Sequence, residues 1–292
     1  NLAYKLNRIE DFKINLYNPS ILYSLSYFNF NKKEININYN KLIKKSFPSI
    51  NHSNNYKKVK KQKIKIGFFC FYIIQRGICS VFRDRSQVFM RLDPNKFEKY
   101  LIYGDMSEQI NSTDKEFITS SIYLNQFINS MDYKIKIDFC LKNYENYKKQ
   151  LLNLKLDVIV YDSIGMEPRG MIFSNFRLAP VQINTWGHSI TSGASEIDYF
   201  FSSKYYELED LDKAQEFYSE KLVALNSLCT CYPELNTTLD MSREELKLPN
   251  DKNILFCLVY YKKINLEFID VLNEILSNLE DTLVIMLNSG VT

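Results

Sequence analysis

Between Arg177 and Phe200 the chain reads RLAPVQINTWGHSITSGASEIDYF, a stretch holding its one tryptophan, one of its two histidines and two of its eight glycines. His188 is a ring that both donates and accepts and titrates near neutrality. Gly187 and Gly193 allow a close backbone approach. Ser189, Thr191, Ser192 and Ser195 add hydroxyls, which with backbone N–H groups suit sugar hydroxyls and phosphate oxygens. The same residues also suit an ordinary Gly/Ser turn with a surface histidine, and spacing alone leaves both readings open. Neither G-x-G-x-x-G nor G-x4-G-K-[ST] order is present.

Three further stretches carry charge in places where chemistry is done. In SVFRDRSQ, Arg83 and Arg85 flank Asp84 at a helix start, fit either to hold an anion or to form a salt-bridged surface turn. After LDVIVY come Asp162, Glu167 and Arg169, which read as a carboxylate pair of the kind glycosidases use or as helix-start charges. Lys262 and Lys263 lie between an apolar strand and a helix, where one lysine can reach a diphosphate at the helix N-terminus or simply be solvated. No G-x-S-x-G elbow exists. The second histidine, His52, falls in a polar linker, so a His-based metal site is not expected. Cys229-Thr230-Cys231 lacks the paired C-x2-C spacing of zinc ribbons. Cys70, Cys140 and Cys257 sit in apolar segments and read as small buried hydrophobes, and free thiols point to a reducing compartment, the cytoplasm.

These loops need a scaffold, and the pattern supplies one. Residues 1–50 carry a helical apolar pattern, with an Asn18-Pro19-Ser20 helix start and a second helix in NKKEININYNKLIKKSF. Residues 51–63 are polar and lysine-rich and read as a linker. From 64 to 250 strands alternate with helices: KIKIGFFCFY, KYLIYG, SSIYLN, LDVIVYDS, APVQINTW and IDYFFSS as strands; FRDRSQVFMRLD, MDYKIKIDFCLKNYENYKKQLLNL and PRGMIFSNFR as helices. The expectation is an α/β fold with a mainly parallel sheet covered on both faces. Residues 251–292 give one more strand, helix and strand; a single such unit leaves an open apolar edge, so this second part is expected to be incomplete. In a parallel sheet ligands bind beyond the carboxyl ends of the strands, where the loops at 72–85, 161–170 and 186–196 would converge.

At 292 residues, 46% hydrophobic and 14% aromatic, the chain is large and apolar enough for a real core. A net charge of +3 exerts no global pull towards nucleic acid or membrane. The lysine run from Lys57 to Lys65 lacks interleaved aromatics and reads as solvated linker. No apolar stretch is long enough to span a bilayer.

The stretch SNFRLAPVQINTWGHSITSGASEIDYFFSS, followed by FYSEKLVAL, resembles the catalytic region of the glycosyltransferase family 41 group. That group's pattern is roughly R-x-A-P-[IV]-Q, then G-[HY]-P-x-[ST]-[ST], then D-Y, then SEKL; it includes protein O-GlcNAc transferases, SPINDLY proteins and bacterial protein N-glucosyltransferases. YNPSILYSLSY resembles the helical linker ahead of the catalytic region, and LKLPNDKNILFCLVYYKKINLEFIDVL the start of the second lobe. The resemblance implies a GT-B fold with a complete Rossmann-like first lobe at 64–250 and a truncated donor-binding lobe from 251. It implies inverting, metal-independent transfer of a sugar from a UDP-sugar to a protein, no further cofactor, and TPR-type repeats upstream. By position it implies catalytic roles for His188 and for Lys263, the latter at the donor diphosphate. It aligns Gly187, Thr191, Ser192 and Gly193 with the loop beside His188, and these, together with the arginine pair Arg83 and Arg85, are the expected donor- or acceptor-binding residues. Fucosyl transfer and a non-catalytic interaction module are the alternatives, and residues 1–292 alone are expected to be inactive. The chain departs from the pattern at Ser189, in place of proline, and at Cys79, in place of a histidine. Asp157 stands where O-GlcNAc transferases have a histidine at the end of the cleft strand.

Overall fold

A computed structural model describes residues 20–47, 62–70, 80–104, 122–137, 143–232, 241–259 and 263–286. The chain divides into two compact units, Asn1–Pro233 and Glu234–Thr292.

Seven parallel strands form the first unit's sheet: β1 (Ile64–Phe69), β2 (Phe97–Tyr103), β3 (Tyr133–Lys136), β4 (Val158–Tyr161), β5 (Val181–Thr185), β6 (Tyr199–Ser203) and β7 (Lys221–Leu225). Their order is β3-β2-β1-β4-β5-β6-β7. The chain builds outward from β1 in one direction, then returns to β1 and builds outward in the other. The crevice between β1 and β4 is therefore a topological switch point, with Phe69 paired to Tyr161 at its carboxyl end. Parallel strands need covered faces, and the helices supply them. They are α1 (Ser20–Leu25), α2 (Lys33–Ser46), α3 (Ser80–Met90), α4 (Ile122–Asn129), α5 (Tyr144–Asn153), α6 (Pro168–Phe173) and α7 (Leu211–Gln215).

Successive strand residues point to opposite faces, so each face has its own core. On one, Phe69, Ile159 and Tyr161 pack with Ile43 of α2, Leu151 of α5 and Phe173 of α6. On the other, Phe68, Leu101 and Val160 pack with Phe89 of α3 and Phe127 of α4. Phe68, Phe69 and Phe173 are fully buried, each contributing about 1.5–3 kcal/mol of transfer free energy. Helix α2 thus belongs to the lobe's packing.

Two expected elements differ. Residues 122–125 of the SSIYLN segment are the start of helix α4, not a strand; Phe127 of that helix and Met131 just past its end both enter the core on the α3 side. The long helix expected over 131–154 is β3 followed by the shorter α5. YKIK alternates, pairs only with β2 and exposes its lysines, as a sheet-edge strand does. Edge strand β7 adds an element that the sequence reading does not contain.

In the second unit, β8 (Asn253–Cys257) and β9 (Thr282–Met286) pair in parallel around α8 (Leu266–Asn278), as the apolar pattern predicts. Asn265 caps α8, its Oδ1 accepting from Phe268 N at 2.8 Å. Cys79, Cys140, His52, Lys262, the lysines at 57–61 and the side chain of Arg83 lie outside the described residues. Among the described residues no helix is long and apolar enough to cross a membrane.

Candidate functional site

The loop after β5 begins at Trp186 and stays on the sheet's carboxyl rim. Gly187 is pressed against the loop that follows β4: a Cβ there would lie 1.9 Å from the Asp162 carbonyl oxygen. The rim loops after β4 and β5 therefore meet as the sequence predicts, and the glycine's close approach is to protein backbone.

His188 follows directly. It is 5% exposed, and its ring stacks on Tyr23 of α1, centroids 5.6 Å apart and planes at 29°. Its Nε2 is buried without a hydrogen-bond partner. Beside it is a cavity of about 10 Å3, bordered by Leu22, Asn36, Asn40 and Gly165, with room for about one water. Burial lowers the imidazole's pKa to about 4, so His188 is neutral at physiological pH.

The next residues are held on two sides. From the sheet side Glu220, which immediately precedes β7, accepts from Thr191 Oγ1 at 2.6 Å, from Ser192 N at 2.8 Å and from Ser192 Oγ. From the helix side α2 presents one face, at spacings of four. Asn36 Nδ2 donates to the Thr191 carbonyl and Asn40 Nδ2 to the Ser192 carbonyl, both at 2.8 Å. Lys44 reaches Ser195 Oγ at 2.5 Å and Glu196 at 3.0 Å. Gly193 has φ +71, and a Cβ there would sit 2.4 Å from the Asn36 carbonyl carbon. Thr191, Ser192 and Gly193 thus shape and fix the loop that carries His188. The loop's far end is braced by buried Gln182, which donates to the Phe176 and Glu196 carbonyls at 3.0 and 2.7 Å.

A second polar group lies under the same rim. Arg85 is 1% exposed. Its Nε donates to Thr185 Oγ1 at 3.3 Å and its Nη1 to the Cys229 carbonyl at 3.2 Å, while Nη2 has no partner. Asp84 pairs with Nη1 at 3.5 Å, as an ion pair and not as a hydrogen bond. Asp162, just past β4 at the switch point, takes Ser163 Oγ on Oδ1 at 2.7 Å and leaves Oδ2 unpartnered. Both side-chain atoms of fully buried Asn184 are also unpartnered. Burial raises the Asp162 carboxyl to about 7, against the pull of Ser163 and Arg85. It raises Asp84 to about 6, opposed by Arg85. Buried polar atoms are rarely left unmatched, so their concentration at one end of one sheet marks a place prepared for polar partners.

Of the other expected residues, Glu167 and Arg169 act as helix-start charges: Glu167 caps α6, accepting from Arg169 N and Arg169 Nε at 2.9 Å each. Asp157 precedes β4, at the end of the sheet opposite the rim, where its Oδ2 accepts Lys65 N at 2.9 Å. Lys263 is exposed in the second unit, in the turn between β8 and α8. Tyr23, Asn36, Asn40 and Glu220 are absent from the residues that the sequence singles out. Glu220 had a signal, the SEKL stretch; the others act through partners more than 150 residues away and had none.

No family model and no curated protein sequence matches the chain. Among solved structures, a mutant O-GlcNAc transferase from Thermobaculum terrenum superposes with a TM-score of 0.69 at 16% identity. The alignment covers 93% of this chain and 48% of that one, so the chain spans about half of that structure's length. At this identity the likeness is one of fold: the chain has an α/β architecture with a Rossmann-like lobe of the GT-B type, shared with an O-GlcNAc transferase.

Proposed function

We propose that the chain carries the acceptor-side lobe, and the opening of the donor-side lobe, of a glycosyltransferase that moves GlcNAc or another hexose from a UDP-sugar to a protein side chain with inversion. The observation that carries this reading is the position of His188. It stands at the carboxyl rim of a doubly wound parallel sheet, beside the switch point, with an unpartnered ring nitrogen.

In the proposed reaction an acceptor oxygen or nitrogen attacks the anomeric carbon. The bond from that carbon to the UDP oxygen breaks, UDP leaves with the electron pair, and the acceptor's proton passes to solvent or the leaving diphosphate. A neutral imidazole with a pKa near 4 is a weak base, so His188 serves as a hydrogen-bond acceptor that orients the nucleophile. Lys263 supplies positive charge to the diphosphate, in place of a metal. Arg83 and Arg85 are assigned to donor or acceptor binding, Arg85 through its unpartnered Nη2, while Gly187 and Thr191 to Gly193 set the loop's shape. The proposal includes a cytoplasmic setting and helical repeats ahead of residue 1.

One observation favours a second reading, a non-catalytic interaction module: Tyr23 covers His188 and the adjoining cavity admits about one water. Calorimetric titration of UDP into the full-length protein decides between them, with Lys263→Ala alongside and UDP-GlcNAc, UDP-glucose and GDP-fucose tested for turnover. The transferase reading expects UDP binding that weakens about tenfold or more in the variant, the scale of one charge-assisted hydrogen bond. Absence of UDP binding and of turnover favours the module. Binding that ignores the substitution removes Lys263 from the mechanism.

A further inference from the structure

Next to the His188 loop, but separate from the small cavity at its ring, lies a groove of about 300 Å3. That volume is at the lower end of the range for small-ligand sites, about 300–1,000 Å3. It is lined by the turn of residues 29–32 between α1 and α2, by Glu207 and Leu208 with α7 and the residues after it, and by Ser189 to Thr191, which follow His188. Lys33 Nζ donates to the Glu216 carbonyl at 3.2 Å, tying the start of α2 to the end of α7.

Two features make this groove unlike ordinary surface. Three large apolar side chains, Phe30, Leu208 and Phe217, line it and remain exposed. Between them stands Lys32, whose Nζ bonds the Phe28 carbonyl and lies 4.5 Å from the centroid of the Phe30 ring. Among the described residues Lys32 has no carboxylate within ion-pair distance. The groove's own carboxylate, Glu207, is occupied: its Oε1 accepts from Ser202 Oγ at 2.5 Å and from Tyr218 OH at 2.8 Å. The groove thus offers an apolar lining and one unpaired cation, on an aromatic face that holds it in place.

We propose that this groove docks a polypeptide segment in which a carboxylate side chain adjoins an aromatic or large aliphatic one, the carboxylate on Lys32 and the apolar group against Phe30, Leu208 and Phe217. Such a segment would lie against Ser189 to Thr191, the residues that follow His188. The segment's role as the acceptor chain rests on the transferase reading; the docking itself does not.

The test is fluorescence anisotropy on the full chain, without any sugar nucleotide. Labelled eight-residue peptides carry Asp-Phe, Lys-Phe or Asp-Gly at the centre of a Gly-Ser frame. The Asp-Phe peptide should bind saturably, and each of the other two about fivefold more weakly or worse. Lys32→Glu should reverse the preference between Asp-Phe and Lys-Phe, and Phe217→Ala should weaken Asp-Phe about fivefold. Phe217 is exposed and Lys32 half-buried, and circular dichroism checks that both variants fold. Equal binding of all three peptides, or a preference unmoved by Lys32→Glu, overturns the proposal. Selective peptide binding in a protein that fails to bind UDP upholds the groove and removes only the transferase reading.

Discussion

Tyr23 lies face to face with His188, ring centroids 5.6 Å apart, and α1 thereby seals the rim loop's one imidazole from water. Tyr23→Ala should let water back to the ring and raise its pKa from about 4 towards the ordinary 6.5. Proton NMR titration checks this, since the chain has two histidines and His188→Gln assigns the resonances. The linkage sign follows. The folded state's depressed pKa means that it binds fewer protons than the unfolded state between pH 4 and 6.5, so the unfolding free energy should fall as pH drops through that window. Tyr23→Ala should flatten this slope. An unchanged His188 titration would show that the stack does not set its environment.

Asn40 joins three elements: it donates to the Ser192 carbonyl and to the Asn36 carbonyl, and accepts from Asn175 Nδ2 at 2.5 Å. Asn40→Ala leaves the buried Ser192 carbonyl without this donor and removes a hydrogen bond from Asn175. A loss of about 1–3 kcal/mol in urea unfolding is expected. Asn38→Ala, on the exposed side of the same helix, should change stability by less than about 0.5 kcal/mol.

Asp162 titrates in the opposite sense to His188. Its folded pKa of about 7 lies above the unfolded value of 3.8, so its contribution is fully present below pH 3.8 and is lost as pH rises through 7. Asp162→Asn cannot ionise. Its stability relative to the parent should therefore rise between pH 5 and pH 8 by on the order of a few kcal/mol. Denaturation midpoints at the two pH values measure this, and a constant difference would mean that the carboxyl ionises freely in the fold.

Gly187→Ala places a methyl group within 1.9 Å of the Asp162 carbonyl, where the obstacle is backbone. Separation of the two rim loops is the one way to accommodate it. The expected result is destabilisation of about 3 kcal/mol or more, with raised hydrogen exchange at residues 162–165 and 187–190. A variant as stable as its parent would refute the contact.

The strand–helix alternation and the placement of the His188 loop were both legible because each rests on short-range pattern: apolar runs of strand length, punctuated by Gly, Ser and Pro. The two errors fell where local pattern is ambiguous. YKIK has strand alternation inside a segment that also reads as helix, and only its pairing with β2 decides the matter. SSIYLN is too short to show that the residues after it, with Phe127 entering the core, continue as a helix to Asn129. In the site, His188 stood out by composition, but what holds it did not. The asparagines of α2 look like a solvated helix face, yet Asn36 and Asn40 are buried against carbonyls far along the chain. Thr191 and Ser192 carry the hydroxyls a ligand would want, and Glu220, 29 residues on from Thr191 and 28 from Ser192, engages them.

The grip of α2 on the rim loop also dictates an order of events during synthesis. Asn36 and its acceptor Thr191 are 155 residues apart. At ribosomal speeds of about 5–20 residues per second, the α2 segment waits roughly eight to thirty seconds for its partner to be made. Throughout that interval Leu22, Ile43 and Phe47 have no completed core to enter. A nascent chain stalled before residue 191 should therefore bind holdase chaperones through residues 22–47, and one released beyond residue 230 should not.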